Sequence, residues 1–562
     1  MSMTMTMPDL PPISPRAAAA DFTPHPRRGV NVASFLIQTA KRLPDAPAVI
    51  DPIAQDRLTW RQLAVRAAHT ASQLHAAGVG RRDTVMLLSS NHVEMVQGFW
   101  AIMHAGAVVA PPNAALTPAE ITQLAETTAP AAIIAHVEAH AAVAAVQKAG
   151  YAARIFWIGT ADADPDTYAA ADALAPVTAA SALAEHTGDD ICSPAVVSPD
   201  DPCWYFFTSG STGAPKAAVF THHHLGIVLL NHNCDLFPGE DHTGASLVVA
   251  PISHGAGVHL LAQVFAGCPS ILYTGKPFDG GEAWELIDDW KVTNMFTVPT
   301  ILNRVVAGYP VDRPAAQHSL QYVIYAGAPL LAADQERAIE TLGDCLVQYF
   351  GLGEVTGSIT ALRPEEHGII PVDAAGIGTC GRARTGVEIC VQDDTGQRLP
   401  AGEPGEVCVA GPTVCGGYLN NPSANAEAFA DGWFHTGDIG YLDEAGYLFL
   451  TGRKSDMYIS GGSNIYPREI EELLLTHPDV RQVAVIGVPD PRWGEVGVAV
   501  VEAEAPVSAE TLTSFLTTRL AKYKIPKEFR FVETLPVTAY GKIARKELKQ
   551  QLSFEREQET GR

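Results

Sequence analysis

The sequence predicts a layered α/β protein, with a large N-terminal domain of α/β subdomains plus a β subdomain and a smaller α+β C-terminal domain. Three observations carry this reading. Helical and strand patterns alternate from about residue 30 to residue 350; residues 376–451 switch to short alternating runs between Gly, Pro and Asp turns; and the chain then returns to mixed helix and strand. These shifts divide it into a disordered tail over 1–28, a large domain over 29–452, a linker over 453–455 and a small domain over 456–562.

Each element has a local reason. Thr59-Trp-Arg-Gln62 is a capping box, followed by Leu63, Ala67, Ala68 and Leu74 on one helical face and by Gly78 as a stop. Thr84–Leu88 is short and wholly apolar, the mark of a strand covered on both faces. Residues 92–106 are helical, Thr117-Pro-Ala-Glu120 caps another helix with Pro at its first position, and 131–134 is a second buried strand. Residues 160–200, rich in Ala, Asp, Thr and Pro, read as a surface excursion. Further strands are predicted over 247–250, 295–298 and 322–325, and β-subdomain runs over 405–410 and 446–450. In the small domain, 467–475 and 509–520 read as helices, and 483–488, 496–501 and 529–532 as strands.

Composition narrows the partners. The 562 residues, 47% of them hydrophobic, can bury a large core. Against 62 acidic residues stand 38 basic ones, and the net charge of −24 is spread along the chain, which argues against nucleic acid and anionic membranes. An anionic ligand would need a local positive site. The nine cysteines form no C-x-x-C pair and sit mostly in apolar surroundings, so buried thiols in a reducing cytoplasm are expected, with neither disulfides nor zinc. The N-terminus lacks the pattern of a signal peptide, and no integral membrane segment is expected.

The chemistry-bearing stretch is Thr208-Ser-Gly-Ser-Thr-Gly-Ala-Pro-Lys216, after the apolar Cys203-Trp-Tyr-Phe-Phe207. Gly210 and Gly213 have no Cβ to block close approach, so backbone N–H groups here can wrap an anion. It is not a Walker A loop, because Pro215 and Ala217 stand where the second glycine and the magnesium-binding hydroxyl belong. Any metal must be held elsewhere. Glu354, between glycines in Gln348-Tyr-Phe-Gly-Leu-Gly-Glu-Val-Thr-Gly357, is a natural magnesium ligand beside polyphosphate. Asp438, after a glycine turn, can hold a ribose diol, and Lys542 rides on Gly541 near the end of the small domain. His222-His-His224 point three ways on a helix and cannot share one ion, whereas His254 lies among small residues at a strand end. Gly/Pro-rich strand ends at 251–257, 299–300 and 326–329 suggest one shared crevice.

In this order and spacing the segments resemble the adenylate-forming superfamily: acyl- and aryl-CoA synthetases, luciferases and peptide-synthetase adenylation domains. The resemblance runs from about residue 30 to residue 548 and points to the CoA ligase branch. It implies that Thr208, Ser209, Gly210, Ser211, Thr212, Gly213 and Lys216 hold the β- and γ-phosphates of ATP. Gly327, Ala328 and Pro329 would form the adenine-side wall, with Gln348, Tyr349, Phe350 and Gly351 beside it and Phe350 stacking on the base. Asp438 and Arg453 would bind ribose hydroxyls, Glu354 would hold Mg²⁺, and Lys542 would bridge the attacking carboxylate and the α-phosphate, with His254 counted beside them as catalytic. The small domain would be mobile, turning about a hinge at Ser455 to bring Tyr458, Ser460, Gly461 and Gly462 to a CoA tunnel. By the same resemblance the acyl pocket would be lined by His254, Val258, His259, Tyr325, Ala326, Gly327, Gly351 and Leu352, with Tyr325 and His259 as its polar members.

The chain departs from the family pattern at Gly353, often Thr, at Phe350, often Tyr, and at Ser455, commonly Asp or Lys. The implied activity is an AMP-forming ligation of a carboxylic acid to CoA through an acyl-adenylate, using ATP, Mg²⁺ and CoA. The segment around His254 has no acid to pair a substrate ammonium, and the lining has no arginine for a second carboxylate, which favours an aromatic or medium-chain monoacid. Acyl transfer to a carrier protein, luciferase-like oxygenation and a non-catalytic ATP-binding relative are the alternatives. Lys216, Glu354, Asp438, Arg453 and Lys542 together speak against the last. Whether the protein forms a homodimer is left open.

Overall fold

The computed structural model describes residues 28–560 apart from 152, 160–163, 175–190, 210–214, 276, 329, 331, 358, 369–377, 461–462 and 538–542. Apart from residue 28, the expected tail lies outside the described residues, as do Gly210, Ser211, Thr212, Gly213, Pro329, Gly461, Gly462 and Lys542.

Two sheets make the α/β part of the large domain. The six-stranded sheet runs in the order Arg154–Ile158, Ala132–His136, Thr84–Leu88, Val108–Ala110, Pro202–Ser209, Pro215–Thr221, parallel except for the last pair. Its central strands are buried throughout, as their unbroken apolar runs require. The nine-stranded sheet has a parallel centre, Leu346–Phe350, Tyr322–Tyr325, Asn294–Thr297, Ser246–Val248, Ser270–Leu272 and Pro47–Asp51, with antiparallel strands at both edges. Val93–His104 and Gly255–Ala266 belong to the largest core cluster, shared by side chains of both sheets, and so are apolar nearly all round.

Both capping boxes read from the sequence are formed: Thr59 with Gln62 opens Trp60–Ala76, and Thr117 with Glu120 opens Pro118–Thr128. Gly78 follows the first of these helices in the left-handed region, at φ 81°. The surface excursion contains a helix, Pro165–Leu174, that the sequence pattern did not reveal.

The antiparallel β subdomain is present as Glu388–Gln392, Gly405–Ala410, Trp433–Leu442 and Leu448–Arg453, with Phe429–Ala430 at one side. The small domain is built on the hairpin Val480–Asp490 and Gly494–Ala503, with Glu528–Val532 parallel to its second strand. Pro467–Leu475 and Ala509–Thr517 pack on one face of this sheet, and Arg545–Thr560, a helix not read from the sequence, on the other. Of the nine cysteines seven are buried, while Cys192 and Cys234 are exposed. Among the described residues no helix is long and apolar enough to cross a membrane.

Candidate active site

The apolar run 203–207 forms most of a strand buried on both faces, so the first polar side chain it delivers is Thr208, at its carboxyl end. The strands flanking the phosphate-loop segment pair antiparallel, with Thr208 opposite Lys216 and Ser209 opposite Pro215. Beside them lies a short 3-10 turn, Gly353–Val355, which carries Glu354. The Thr208 hydroxyl donates to Glu354 Oε1 at 3.0 Å, and the Tyr418 hydroxyl donates to the same oxygen at 2.9 Å. Lys216 Nζ stands 4.8 Å from the centre of the Tyr418 ring. Thr208 and Lys216, on paired strands, and Glu354, far from both in the chain, are thus one constellation.

Tyr418 is the member the sequence reading missed. It follows Gly416 and Gly417 in a turn-rich segment, and its backbone is clamped by Asn425, which accepts from its N–H at 2.6 Å and donates to its carbonyl at 3.0 Å. Burial, reinforced by Glu354, pushes its phenol well above the usual range, so it stays a proton donor to the carboxylate. The only sequence signal is a Gly-Gly-Tyr turn after the β run 405–410, too weak to stand alone. Glu354 is 7% exposed, and both hydroxyls address Oε1. Among the described residues no hydrogen bond reaches Oε2, which suits that oxygen to a hard divalent cation.

Gly353 has a steric reason. A Cβ there would collide with Thr208 Cγ2 and stand 2.9 Å from Phe206 Cδ1, so its absence lets the turn reach the strand. The missing hydroxyl noted against the family pattern is therefore coupled to the Thr208–Glu354 contact.

Asp438 and Arg453 face each other in the ladder between Trp433–Leu442 and Leu448–Arg453. Arg453 Nε donates to Asp438 Oδ1 at 2.8 Å; the aspartate is 4% exposed, while half of the arginine side chain is in solvent. A buried carboxylate oriented by a half-exposed guanidinium is suited to chelating a diol. Ser455 lies just beyond, in an exposed turn, its hydroxyl 3.2 Å from Asp456 Oδ1.

The strand ends expected to share a crevice are aligned: Phe296 pairs with Val248, Thr297 with Tyr325, and Tyr325 with Gln348. Gly327, at φ 85°, turns the chain after Tyr322–Tyr325, with exposed Ala328 next to it. His254 begins the helix Gly255–Ala266; its Nδ1 is 2.9 Å from Ser253 Oγ and its ring meets Phe206 edge-on, centroids 5.9 Å apart. Asn91 holds this loop from the other sheet, donating to the Ala250 carbonyl and accepting from the Ile252 N–H, each at 2.9 Å. Gly351 and Leu352 lie at the neighbouring strand end, and the partly buried Phe350 packs toward the β subdomain.

Several expected site residues are turned elsewhere. Tyr325 and Val323 belong to a core on the opposite face of the sheet from Ile324 and Ala326, and the Tyr325 hydroxyl accepts from Gln335 at 3.1 Å. Ala326 shares its core with the helix Gly255–Ala266, and Tyr325 does not. Val258 and His259 are in the interior; His259 Nε2 is 2.8 Å from Asn294 Oδ1, and burial pushes its imidazole down to about 4. Neither Tyr325 nor His259 is therefore a polar pocket lining. Tyr349 faces the core, between the rings of Phe296 and His232, and is not placed to touch a nucleotide. Tyr458 is buried in the core of the small domain, so tightly that a Cβ on Gly487 or Gly497 would strike it, and Ser460 lies two residues on in the same strand, also buried.

The histidine clusters do not make a metal centre. His222 Nδ1 accepts from the Val32 N–H and His224 Nδ1 from the Thr221 N–H, each at 3.3 Å, as helix-capping contacts. His92, His136 and Glu138 offer donor atoms within 4.8 Å of one another. The two imidazoles, however, stack with planes 3° apart and centroids at 4.3 Å, and an ion cannot lie in two parallel ring planes at once.

The Thr208–Glu354–Tyr418–Lys216 cluster and the Asp438–Arg453 ladder pair belong to a chain that matches known families along most of its length. The profile described as AMP-binding enzyme matches residues 36–419, and that of the AMP-binding enzyme C-terminal domain matches 469–542. The chain belongs to the AMP-binding enzyme family. Within it this AMP-binding enzyme is 35% identical to a feruloyl-CoA synthase of Amycolatopsis over 93% of its own length and 99% of the relative's, which places it in the CoA ligase branch. Among solved structures it is similar to ATP-bound MatB from Rhodopseudomonas palustris, with 28% identity, a TM-score of 0.79 and coverage of 93% and 99% of the two chains. It is also similar to the o-succinylbenzoate CoA synthetase of Bacillus subtilis in complex with its acyl-adenylate intermediate, with 28% identity, a TM-score of 0.76 and coverage of 94% and 99%.

Proposed function

We propose that this AMP-binding enzyme is an AMP-forming acid–thiol ligase that converts a carboxylic acid into an acyl-adenylate with release of pyrophosphate and then passes the acyl group to CoA. The observation that carries the reading is the fixed carboxylate of Glu354, tied to the phosphate-loop hairpin through Thr208 and to Lys216 through Tyr418.

A carboxylic acid is ionised at neutral pH, so its attack on the α-phosphate needs no general base. The difficulty is that two anions must meet. Lys216 brings positive charge to the phosphates, and the Asp438–Arg453 pair orients the ribose, so the in-line approach is a matter of positioning and electrostatics. Glu354 would hold Mg²⁺ through Oε2, and the ion when bound supplies positive charge against the phosphate oxygens. Lys542 is proposed to pair with the attacking carboxylate during adenylation. A turn of the small domain (456–562) about Ser455, against the large domain (29–452), would then withdraw Lys542 and present 458–464 to the incoming thiol.

For the acid we favour an aromatic or medium-chain monocarboxylate. Small Ala326 and Gly327 favour a flat ring at their strand end, whereas the space beside Gly351 is taken by Gly357; Phe206 and Phe296 stand beside His254 and Gly255, and a relative carries feruloyl in its name. The decisive assay offers magnesium, ATP and a panel of carboxylic acids with and without CoA. AMP and pyrophosphate with an aromatic or medium-chain acid, and a thioester only when CoA is present, are expected; release of ADP alone would refute the proposal.

A further inference from the structure

Glu354 sits near the middle of a loop whose two limbs are the ends of paired strands, Leu346–Phe350 and Thr360–Leu362, with Phe350 opposite Thr360. A carboxylate that must meet a cation at a fixed point needs this loop to be stiff. Among the described residues five backbone bonds close it, including Thr356 N–H to Gly353 O at 3.0 Å, Gly357 N–H to Leu352 O, and Ile359 N–H to Phe350 O at 2.9 Å. The return limb passes through two left-handed residues, Thr356 at φ 51° and Gly357 at φ 76°, the first of them a non-glycine that needs support from its surroundings.

Tyr349 supplies that support. Its hydroxyl reaches across the loop and donates to the buried Thr356 carbonyl, and it comes so close to Gly357 that a Cβ there would collide with it. The ring is fixed in turn, edge-on to Phe296 at 5.6 Å and to His232 at 5.9 Å. The guanidinium of Arg384, itself held by Asp235 and Asn231, lies 5.5 Å from the ring centre, and the Arg384 backbone N–H donates to Ile359 O at 3.0 Å.

We infer that Tyr349 is a positioning residue for the Glu354 carboxylate: its hydroxyl, by tying Thr356, holds the 351–357 loop in the conformation in which Glu354 meets Thr208, Tyr418 and the magnesium–nucleotide complex. The inference rests on the ligase reading for its kinetic arm only. Nothing in the chemistry passes through Tyr349, and removal of its hydroxyl leaves a buried carbonyl without that donor.

The test is Tyr349→Phe, which keeps the ring, beside Tyr349→Leu, which removes it, and Tyr273→Phe, which deletes a hydroxyl bonded to Glu282 far from this loop. In Tyr349→Phe, KM for ATP at limiting magnesium and the magnesium concentration for half-maximal rate should each rise about fivefold, the worth of one neutral hydrogen bond. The value of kcat at saturating magnesium and KM for the acid should change less than about twofold on the same scale. Amide exchange in peptides spanning 351–360 should quicken in the same variant without ligand, and those spanning 322–326 should not. Tyr349→Leu should add a fall in Tm to the same kinetic defect; Tyr273→Phe should show neither. The inference is overturned if Tyr349→Phe leaves both the magnesium dependence and the exchange of 351–360 at wild-type values, or if its defect lies in kcat alone. A wild-type protein that makes no AMP from any acid would refute the ligase reading, and the exchange arm would still judge the tie.

Discussion

The Thr208 hydroxyl donates to Glu354 Oε1 across 3.0 Å, joining residues 146 positions apart in the chain. The contact couples the phosphate hairpin to the carboxylate, so a change on either partner is felt by both. Glu354→Gln keeps the shape and removes the charge. Pyrophosphate exchange dependent on the acid should fall on the order of a hundredfold, the scale for loss of one electrostatic group at a phosphoryl site, with little change in Tm.

Gly353→Thr restores the residue common in the family, yet it should not improve ATP binding here. The new Cβ would collide with Thr208 Cγ2, pushing the turn off the strand. KM for ATP should rise about tenfold, and Thr208→Ser, which removes that methyl but keeps a hydroxyl for Glu354, should recover much of the loss in the double variant. Titration of KM across the two single variants and the double one checks this; simple additivity would count against the steric argument.

The Asp438–Arg453 pair should matter to nucleotide affinity far more than to folding. Arg453 is half in solvent, so its bond to Asp438 contributes little stability. Arg453→Lys cannot reproduce the Nε contact and should raise KM for ATP about tenfold, with Tm within about 1 °C of the parent. Calorimetry of AMP binding gives the same comparison without turnover.

Buried histidines set an acid limit on stability. Burial lowers His222 and His259 to about 4, below the ordinary value of 6.5, and holds His232 well below that ordinary value too. In the unfolded chain these imidazoles take up protons as pH falls through 6.5, while the folded protein resists until about 4. Their stabilising contribution is therefore complete above the unfolded value and is lost as pH drops from 6.5 toward 4. Each of the two amounts to ~3 kcal/mol over that window. Urea midpoints measured from pH 7.5 to 4.5 should decline steadily, and His259→Gln should flatten the decline by about one proton.

Much of the architecture was legible because its signals are local. Capping boxes such as Thr59-Trp-Arg-Gln62 name their own helix starts, and glycines around Glu354 expose a loop acid. Which way a side chain points was not legible wherever a strand is covered on both faces. Tyr325, in a run buried from Val323 to Tyr325, has no polar neighbour in that run to reveal which face it takes, and Tyr349 and Tyr458 look like crevice aromatics until their core contacts are known. Tyr418 was hidden for another reason. Its link to Glu354 spans 64 residues and depends on how the turn at Gly416 and Gly417 meets the phosphate hairpin, a tertiary fact with no local signature.

Seven thiols lie shut inside the fold, and only Cys192 and Cys234 reach solvent. A bulky maleimide dye added to the native protein should therefore couple at those two places, both on the large domain. Replacing one of them by serine, keeping the other, and installing one new cysteine on an exposed position of the small domain would yield a doubly labelled protein. The distance between its dyes would report, in real time, any swing of one lobe against the other while ATP, acid and CoA are added in turn.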